Sequence, residues 1–252
     1  MRLAPIDILG PKLLDFNGSD SVQEMATGTA CSAQGTSYDT TANVANWGVA
    51  ELVYVSSVAA AAIIPGTLVL MDKNFRISAT AVAATEANQG KTLYVALTNF
   101  AIGNVTEQYG WVLRSGICPV VYSVAATTGR MFLGTAGAAT PTAAAGSQIL
   151  NAQCLIAGAS TFTRSGTTRS GQSRVKFANV GGMFVGQAIS GTGIPASSVI
   201  SAIDTDGTSV YIGSAIGTLV NATASGTVTV TMTNTGYGIC QLDRPVEQGQ
   251  IT

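Results

Sequence analysis

The sequence predicts an all-β protein built around a compact antiparallel β-barrel. Short runs rich in β-branched, aromatic and aliphatic residues recur along the chain, and each ends at Gly, Asn or Pro, as consecutive antiparallel strands do. In the run 91–97, Leu93, Val95 and Leu97 fall on one face and Thr92 and Ala96 on the other. This period of two predicts a strand with one buried face. Of the 252 residues, 46% are hydrophobic, which is enough for a sizeable core.

An extended N-terminal arm is predicted over residues 1–47. Turn signals such as 17–20 and 34–37 follow one another there, and the segment has too few apolar residues to form its own core. The apolar residues are concentrated in the first third, which favours an arm that becomes ordered on a neighbouring subunit over a solvated tail. The side chains expected to bind a partner are Leu3, Ile6, Ile8, Leu9, Leu13, Leu14 and Phe16.

The host domain, a β-barrel, is predicted to span residues 48–160 and to resume at 234–252. Its turn signals have the spacing of an all-β barrel or sandwich. The runs 152–156 (AQCLI) and 238–242 (GICQL) flank the intervening segment like the two strands of a hairpin. A domain inserted at a loop tip leaves its host intact when its ends lie close together, so the pattern predicts an insertion.

The inserted segment, 161–233, is predicted to be a small β-sandwich-like module. Its start coincides with the stretch 160–171, which is rich in Ser, Thr, Gly and Arg and indicates a linker. Residues 227–232 alternate Thr with Val or Met without a break. Asp206-Gly207 is a hairpin signal between two apolar runs. Asp204 and Asp206 also resemble the start of a calcium loop, but the later acidic ligands are missing. No metal and no other cofactor is therefore predicted.

Composition argues against catalysis and against several kinds of partner. The chain has no histidine, which removes the commonest general base and metal ligand, so no enzymatic activity is expected. A net charge of −1 gives no attraction to nucleic acid or to anionic lipid. Only 10% of the residues are charged, and such a surface can lie against another protein without desolvating ions.

A basic cluster in the module allows two interpretations. Arg164, Arg169, Arg174 and Lys176 have no acidic residue near them in sequence, so they are candidates to contact nucleic acid or an acidic neighbour. No aromatic residue is interleaved with them before Phe177, which leaves no platform for base stacking. The pattern favours a solvated linker over a nucleic-acid site.

The four cysteines, Cys31, Cys118, Cys154 and Cys240, show no C-x-x-C spacing. They are predicted to be reduced, buried thiols without a function and without zinc. The N-terminal residues lack the unbroken apolar core of a secretion signal, so we expect assembly in a reducing cytoplasm. The uncharged window 52–71 is broken at Pro65-Gly66 and alternates as strands do, so no membrane partner is expected.

Two sets of residues carry a resemblance to known proteins. The run 182–195 (GMFVGQAISGTGIP), followed by 199–203 (VISAI), looks like a small β-module that recurs in structural proteins of tailed bacteriophages. The runs 93–97 (LYVAL), 110–112 (GWV) and 116–120 (GICPV) are similar to the compact β-barrel or β-tulip core of phage head decoration (cement) proteins.

The resemblance implies a non-catalytic virion protein, made in the host cytoplasm, that binds the outer surface of a phage head. Its expected partners are the major capsid protein and further copies of itself, with a trimer favoured, and its expected role is to stabilise the shell. The long arm and the inserted module depart from the simplest decoration proteins, so a tail or host-attachment role stays open. In a carbohydrate-binding attachment protein, exposed aromatics such as Trp47, Phe184 or Tyr211 would face a glycan.

Overall fold

The structure is a computed structural model that describes residues 3–5, 25–35, 49–58, 63–80, 88–100, 107–204 and 206–249. Its regular structure within these ranges is β, without an α-helix, which confirms the predicted fold class. The strands are β1 Leu3–Pro5, β2 Ala30–Gly35, β3 Val49–Ser57, β4 Leu68–Met71, β5 Arg76–Thr80, β6 Tyr94–Ala96, β7 Gln108–Val121, β8 Gly129–Leu133, β9 Ala139–Thr140, β10 Gln148–Ile156, β11 Thr161–Thr168, β12 Arg174–Phe177, β13 Ala188–Gly191, β14 Val199–Ile203, β15 Ser209–Ala215, β16 Thr218–Leu219, β17 Gly226–Thr233 and β18 Tyr237–Glu247.

The strands belong to two compact units. The host unit contains β3 to β10 and β18, and the module contains Ala159–Thr235. The predicted insertion, 161–233, lies within the range of the module. That the host unit folds without the module stays a prediction. Of the predicted arm, only 3–5 and 25–35 lie within the described residues.

The host unit contains a closed β-barrel. Strand β3 pairs with β7 along 51–57 and with β5 at Ser56 and Ser57, and β4 and β6 connect β5 to β7. All of these pairings are antiparallel except the short β3–β5 pairing. Closure leaves these strands without free edges. The buried cluster inside consists of Val53, Val55, Ile63, Val69, Ile77, Ala96, Phe100 and Val112.

Strand β7 extends beyond this barrel and organises the rest of the host unit. Its second half pairs antiparallel with β18, β18 pairs with β10, and β10 pairs with β8. The runs 152–156 and 238–242 therefore do lie side by side, with Ala152 opposite Leu242. These two strands directly precede and follow the module in the sequence.

The module is a six-stranded antiparallel barrel. Strands β12, β11, β17, β13, β14 and β15 pair in that order, and β12 pairs with β15 to close the ring. The predicted hairpin at Asp206-Gly207 is present, with Ile203 opposite Val210. The module predicted to be sandwich-like is thus a single closed sheet around one core. That core consists of Val175, Phe177, Val180, Met183, Ile189, Ile194, Ile200, Val210, Ile212, Ala222, Val230 and Met232.

Candidate functional site

The residues predicted to bind a partner through the arm fall almost entirely outside the described part of the chain. Leu3 is the first residue of β1. The other predicted contact residues, Ile6, Ile8, Leu9, Leu13, Leu14 and Phe16, lie outside the described residues. Their role in binding stays a prediction from the sequence.

The two described aromatic residues considered for glycan binding, Phe184 and Tyr211, are not open platforms. The prediction that Phe184 is exposed is wrong, because its side chain is only 2% exposed. It lies between Met183 and Val185, both buried, in a turn that points its apolar side chains inward. Tyr211 is partly buried, and its hydroxyl donates to Asp204 Oδ2 at 3.5 Å. Trp47 lies outside the described residues.

Two arginines of the predicted basic cluster take part in the module's own structure. Arg164 donates from its guanidinium to the Gly181 carbonyl at 2.8 Å and to the side chain of Asn179, and its charge lies 5.6 Å from the Phe162 ring centroid. These contacts attach β11 to the loop that follows β12. An arginine committed to such contacts has fewer donors left for phosphate.

The side chain of Arg174, on β12, forms ion pairs with the two aspartates of the turn that resembled a calcium loop. Its Nη2 lies 2.7 Å from Asp206 Oδ2 and 3.1 Å from Asp204 Oδ2. A backbone N–H of Thr208 also donates to Asp206, and together with Arg174 it holds the pKa of that carboxyl below its usual value. Within the described ranges, no group of three or more His, Cys, Asp or Glu side chains is placed to hold a metal ion.

A solvent-facing charge cluster joins three strands of the host unit. Arg114 Nη1 lies 3.0 Å from Glu51 Oε1, and Arg244 Nε lies 3.3 Å from Glu51 Oε2. The three residues come from β7, β3 and β18. Because all three side chains are partly exposed, each pair is expected to contribute no more than about 1 kcal/mol.

Three cysteines meet in the interior of the host unit. Cys118 on β7 is opposite Cys240 on β18, and Cys240 is opposite Cys154 on β10. Directly opposed residues of antiparallel strands point to the same face, so the three buried thiols form a row, which we call the thiol row. The hydroxyl of Tyr122 lies 3.7 Å from Cys240 Sγ.

The environments of the three thiols differ. A hydrogen bond from Cys240 lowers the pKa of Cys154 to about 7, with a smaller contribution from Tyr122. Burial raises the pKa of Cys118 and of Cys240 well above the usual value. The row therefore places a thiol whose pKa is lowered directly beside one whose pKa is raised.

Spacing in the sequence did not show that these cysteines meet. Their alignment depends on the register of strands that are far apart along the chain. A signal was nevertheless present, because Cys154 and Cys240 each occupy the middle of the two runs that flank the module.

The module carries a regular row of hydroxyl groups on its outer surface, all exposed except those of Thr231 and Thr233, which are partly buried. Strands β11 and β17 are opposed so that every outward position pairs one Thr or Ser with another. These pairs, which we call the hydroxyl face, are Thr161 with Thr233, Thr163 with Thr231, Ser165 with Thr229, and Thr167 with Thr227. The alternation of Thr in 227–233 is the sequence signal for this face.

Comparison with known proteins does not place the chain in a family. No family model, no curated protein and no solved structure matches it. Within the residues that are described, no helix has the length and apolar character needed to cross a membrane.

Proposed function

We propose that this protein is a capsid decoration (cement) protein, which binds the major capsid protein on the outer surface of a phage head and stabilises the shell. Self-association, with a trimer favoured, is part of this proposal. The observation that carries it is the hydroxyl face, a two-stranded outer surface built from uncharged pairs such as Ser165 with Thr229, both exposed. The low charge content of the chain and the resemblance described above support the same role.

The chemistry of the hydroxyl face suits contact with another protein. Each hydroxyl both donates and accepts a hydrogen bond, so it adapts to the backbone and polar groups of a partner. Covering such a surface does not require the desolvation of an ion, whose cost is large. Since the strands that bear it belong to a closed barrel, a partner meets their side chains rather than a free sheet edge.

Placing charge on the hydroxyl face is expected to weaken decoration without unfolding the module. The double substitution Thr163→Lys with Thr229→Lys would put two ammonium groups where the partner must exclude water, and should weaken cosedimentation with emptied capsids by at least about tenfold. Both side chains are exposed, so the melting temperature should stay unchanged.

The matched control for this variant is Ser214→Lys. Ser214 is exposed on β15, which lies across the barrel ring from β17. It adds the same kind of charge to the same module away from the hydroxyl face, and capsid binding should be kept. Equal binding by wild type and the double variant would contradict the proposed contact. Binding of the isolated protein to a glycan array, without cosedimentation, would favour a tail or host-attachment role instead.

Deleting residues 1–20 is expected to weaken capsid binding and leave the melting transition of the folded units nearly unchanged. Ordering such an arm costs roughly 1 to 2 kcal/mol per residue in backbone entropy. The pairing of β1 with β2 holds residues 3–5, and contacts with a partner are expected to hold the apolar residues that follow. The deletion removes Leu3, Leu9 and Phe16 together with the other apolar residues of the arm. Undiminished affinity of the shortened protein in the same assay would show that the arm is not an attachment element.

A further inference from the structure

The thiol row brings two cysteines to a strand register whose backbone spacing allows a disulfide. Cys154 and Cys240 are directly opposed on antiparallel strands, where Cα atoms are about 4.5 to 5.5 Å apart. Disulfides span Cα separations of about 4.4 to 6.8 Å. Both residues are free thiols in this structure. We propose that Cys154 and Cys240 form a modification site at which a peroxide joins the two thiols in a disulfide.

The surroundings favour this pair over the pair formed by Cys118 and Cys240. The register between β10 and β18 shifts just after Cys154, so the backbone there is less tightly constrained than in an unbroken ladder. Cys118 instead sits within an unbroken register and is followed by Pro119, whose ring fixes its backbone dihedral.

Gly238 has no side chain, which leaves space beside the two sulfurs. A Cβ on Gly238 would lie 2.9 Å from Cys154 Sγ, which shows how closely this sulfur approaches the backbone of β18. Cys240 Sγ lies 3.5 Å from the carbonyl oxygen of the same Gly238. The two sulfurs thus approach the same glycine.

The chemistry takes two steps in which atoms and electrons balance. The Cys154 thiolate attacks one oxygen of hydrogen peroxide, which breaks the O–O bond and gives a sulfenic acid and hydroxide. The Cys240 thiol then attacks the sulfenic sulfur, forms the S–S bond and loses its proton as water leaves. Overall, two thiols lose two electrons and two protons, and the peroxide is reduced to two molecules of water.

The disulfide would connect the two strands that precede and follow the module. It would covalently close the chain on either side of Ala159–Thr235. In a reducing cytoplasm the two thiols would stay reduced. Release into an oxidising medium would then lock β10 to β18. This inference does not depend on the proposed role in a virion.

The test uses the full chain treated with hydrogen peroxide, then denatured and alkylated. Free thiols should fall from four to two, and dithiothreitol should restore all four. Trypsin places Cys118, Cys154 and Cys240 in the separate peptides 115–130, 131–164 and 177–252. Mass spectrometry should therefore find 131–164 linked to 177–252.

Two variants separate the members of the row. Cys154→Ser should lose no thiol to peroxide, whereas the matched control Cys118→Ser should still lose two. Persistence of four thiols in the wild type, a link between 115–130 and 177–252, or uncrosslinked sulfinic acid at Cys154 would each overturn the proposal. The peptide map of the wild-type chain decides the question even where a variant fails to fold.

Discussion

Raising the pH from about 8 to about 11 is expected to lower the free energy of unfolding of the host unit by several kcal/mol. The cause is a set of buried acids whose pKa values are raised in the folded chain. Burial raises the pKa of Cys118, of Cys240 and of Tyr122, and raises that of Tyr237 to about 12. All four lie on or next to β7 and β18.

The sign follows from counting protons in the two states. Above the unfolded thiol pKa of 9.0, the unfolded chain releases the protons of Cys118 and Cys240 while the folded chain keeps them. Their stabilisation is complete below that pH and falls by about 1.4 kcal/mol per pH unit for each thiol above it. Cys154 acts in the opposite direction, because its pKa is lowered to about 7, but its contribution changes only below 9.0.

Urea unfolding followed by circular dichroism at several pH values measures this effect. The unfolding midpoint should fall steeply above about pH 9. Cys118→Ala is the informative variant: it should be less stable at neutral pH, since a buried side chain is shortened, yet lose less stability as the pH rises. A midpoint that stays constant between about pH 8 and about pH 11 would contradict the protonation of the buried thiols.

Local pattern was sufficient to predict the fold class. The period of two in 91–97 corresponds to β6, and the Asp206-Gly207 signal corresponds to the β14–β15 hairpin. Both features depend only on neighbours along the chain. Closure of the module depends instead on the pairing of β12 with β15, whose residues 174–176 and 209–211 have no shared local pattern. Such long-range pairings are decided by packing and not by the period of either strand.

The candidate sites were predicted less completely, because they too depend on packing between residues that are far apart in the sequence. Phe184 was expected to be exposed if the protein binds a glycan, but Gly182 and Gly186 allow the chain to turn its apolar side chains inward. The thiol row depends on two successive registers, from Cys118 to Cys240 and from Cys240 to Cys154. No spacing rule for cysteines describes side chains brought together in this way.

Gly110 occupies a position in β7 that has no space for a side chain. A Cβ there would lie 2.5 Å from both Cγ2 and Oγ1 of Thr98. Thr98 is fully buried, and its Oγ1 accepts a hydrogen bond from the Trp111 N–H at 2.8 Å. A β-branched side chain has little rotational freedom, so Thr98 cannot move aside and keep this bond. Any methyl group at Gly110 must therefore displace it.

Gly110→Ala is thus expected to lower the free energy of unfolding by about 2 to 5 kcal/mol, from overpacking together with the loss of a hydrogen bond to a buried N–H. Urea denaturation of the purified variant gives the value. Gly90→Ala is the matched control, since nothing lies within 4 Å of its Cβ position and only its φ of +73° opposes the change. That backbone strain should cost about 1 to 2 kcal/mol. If Gly110→Ala lowers the free energy of unfolding no more than Gly90→Ala does, the expected overpacking is absent. Thr98 and β7 would then move apart easily enough to admit a methyl group.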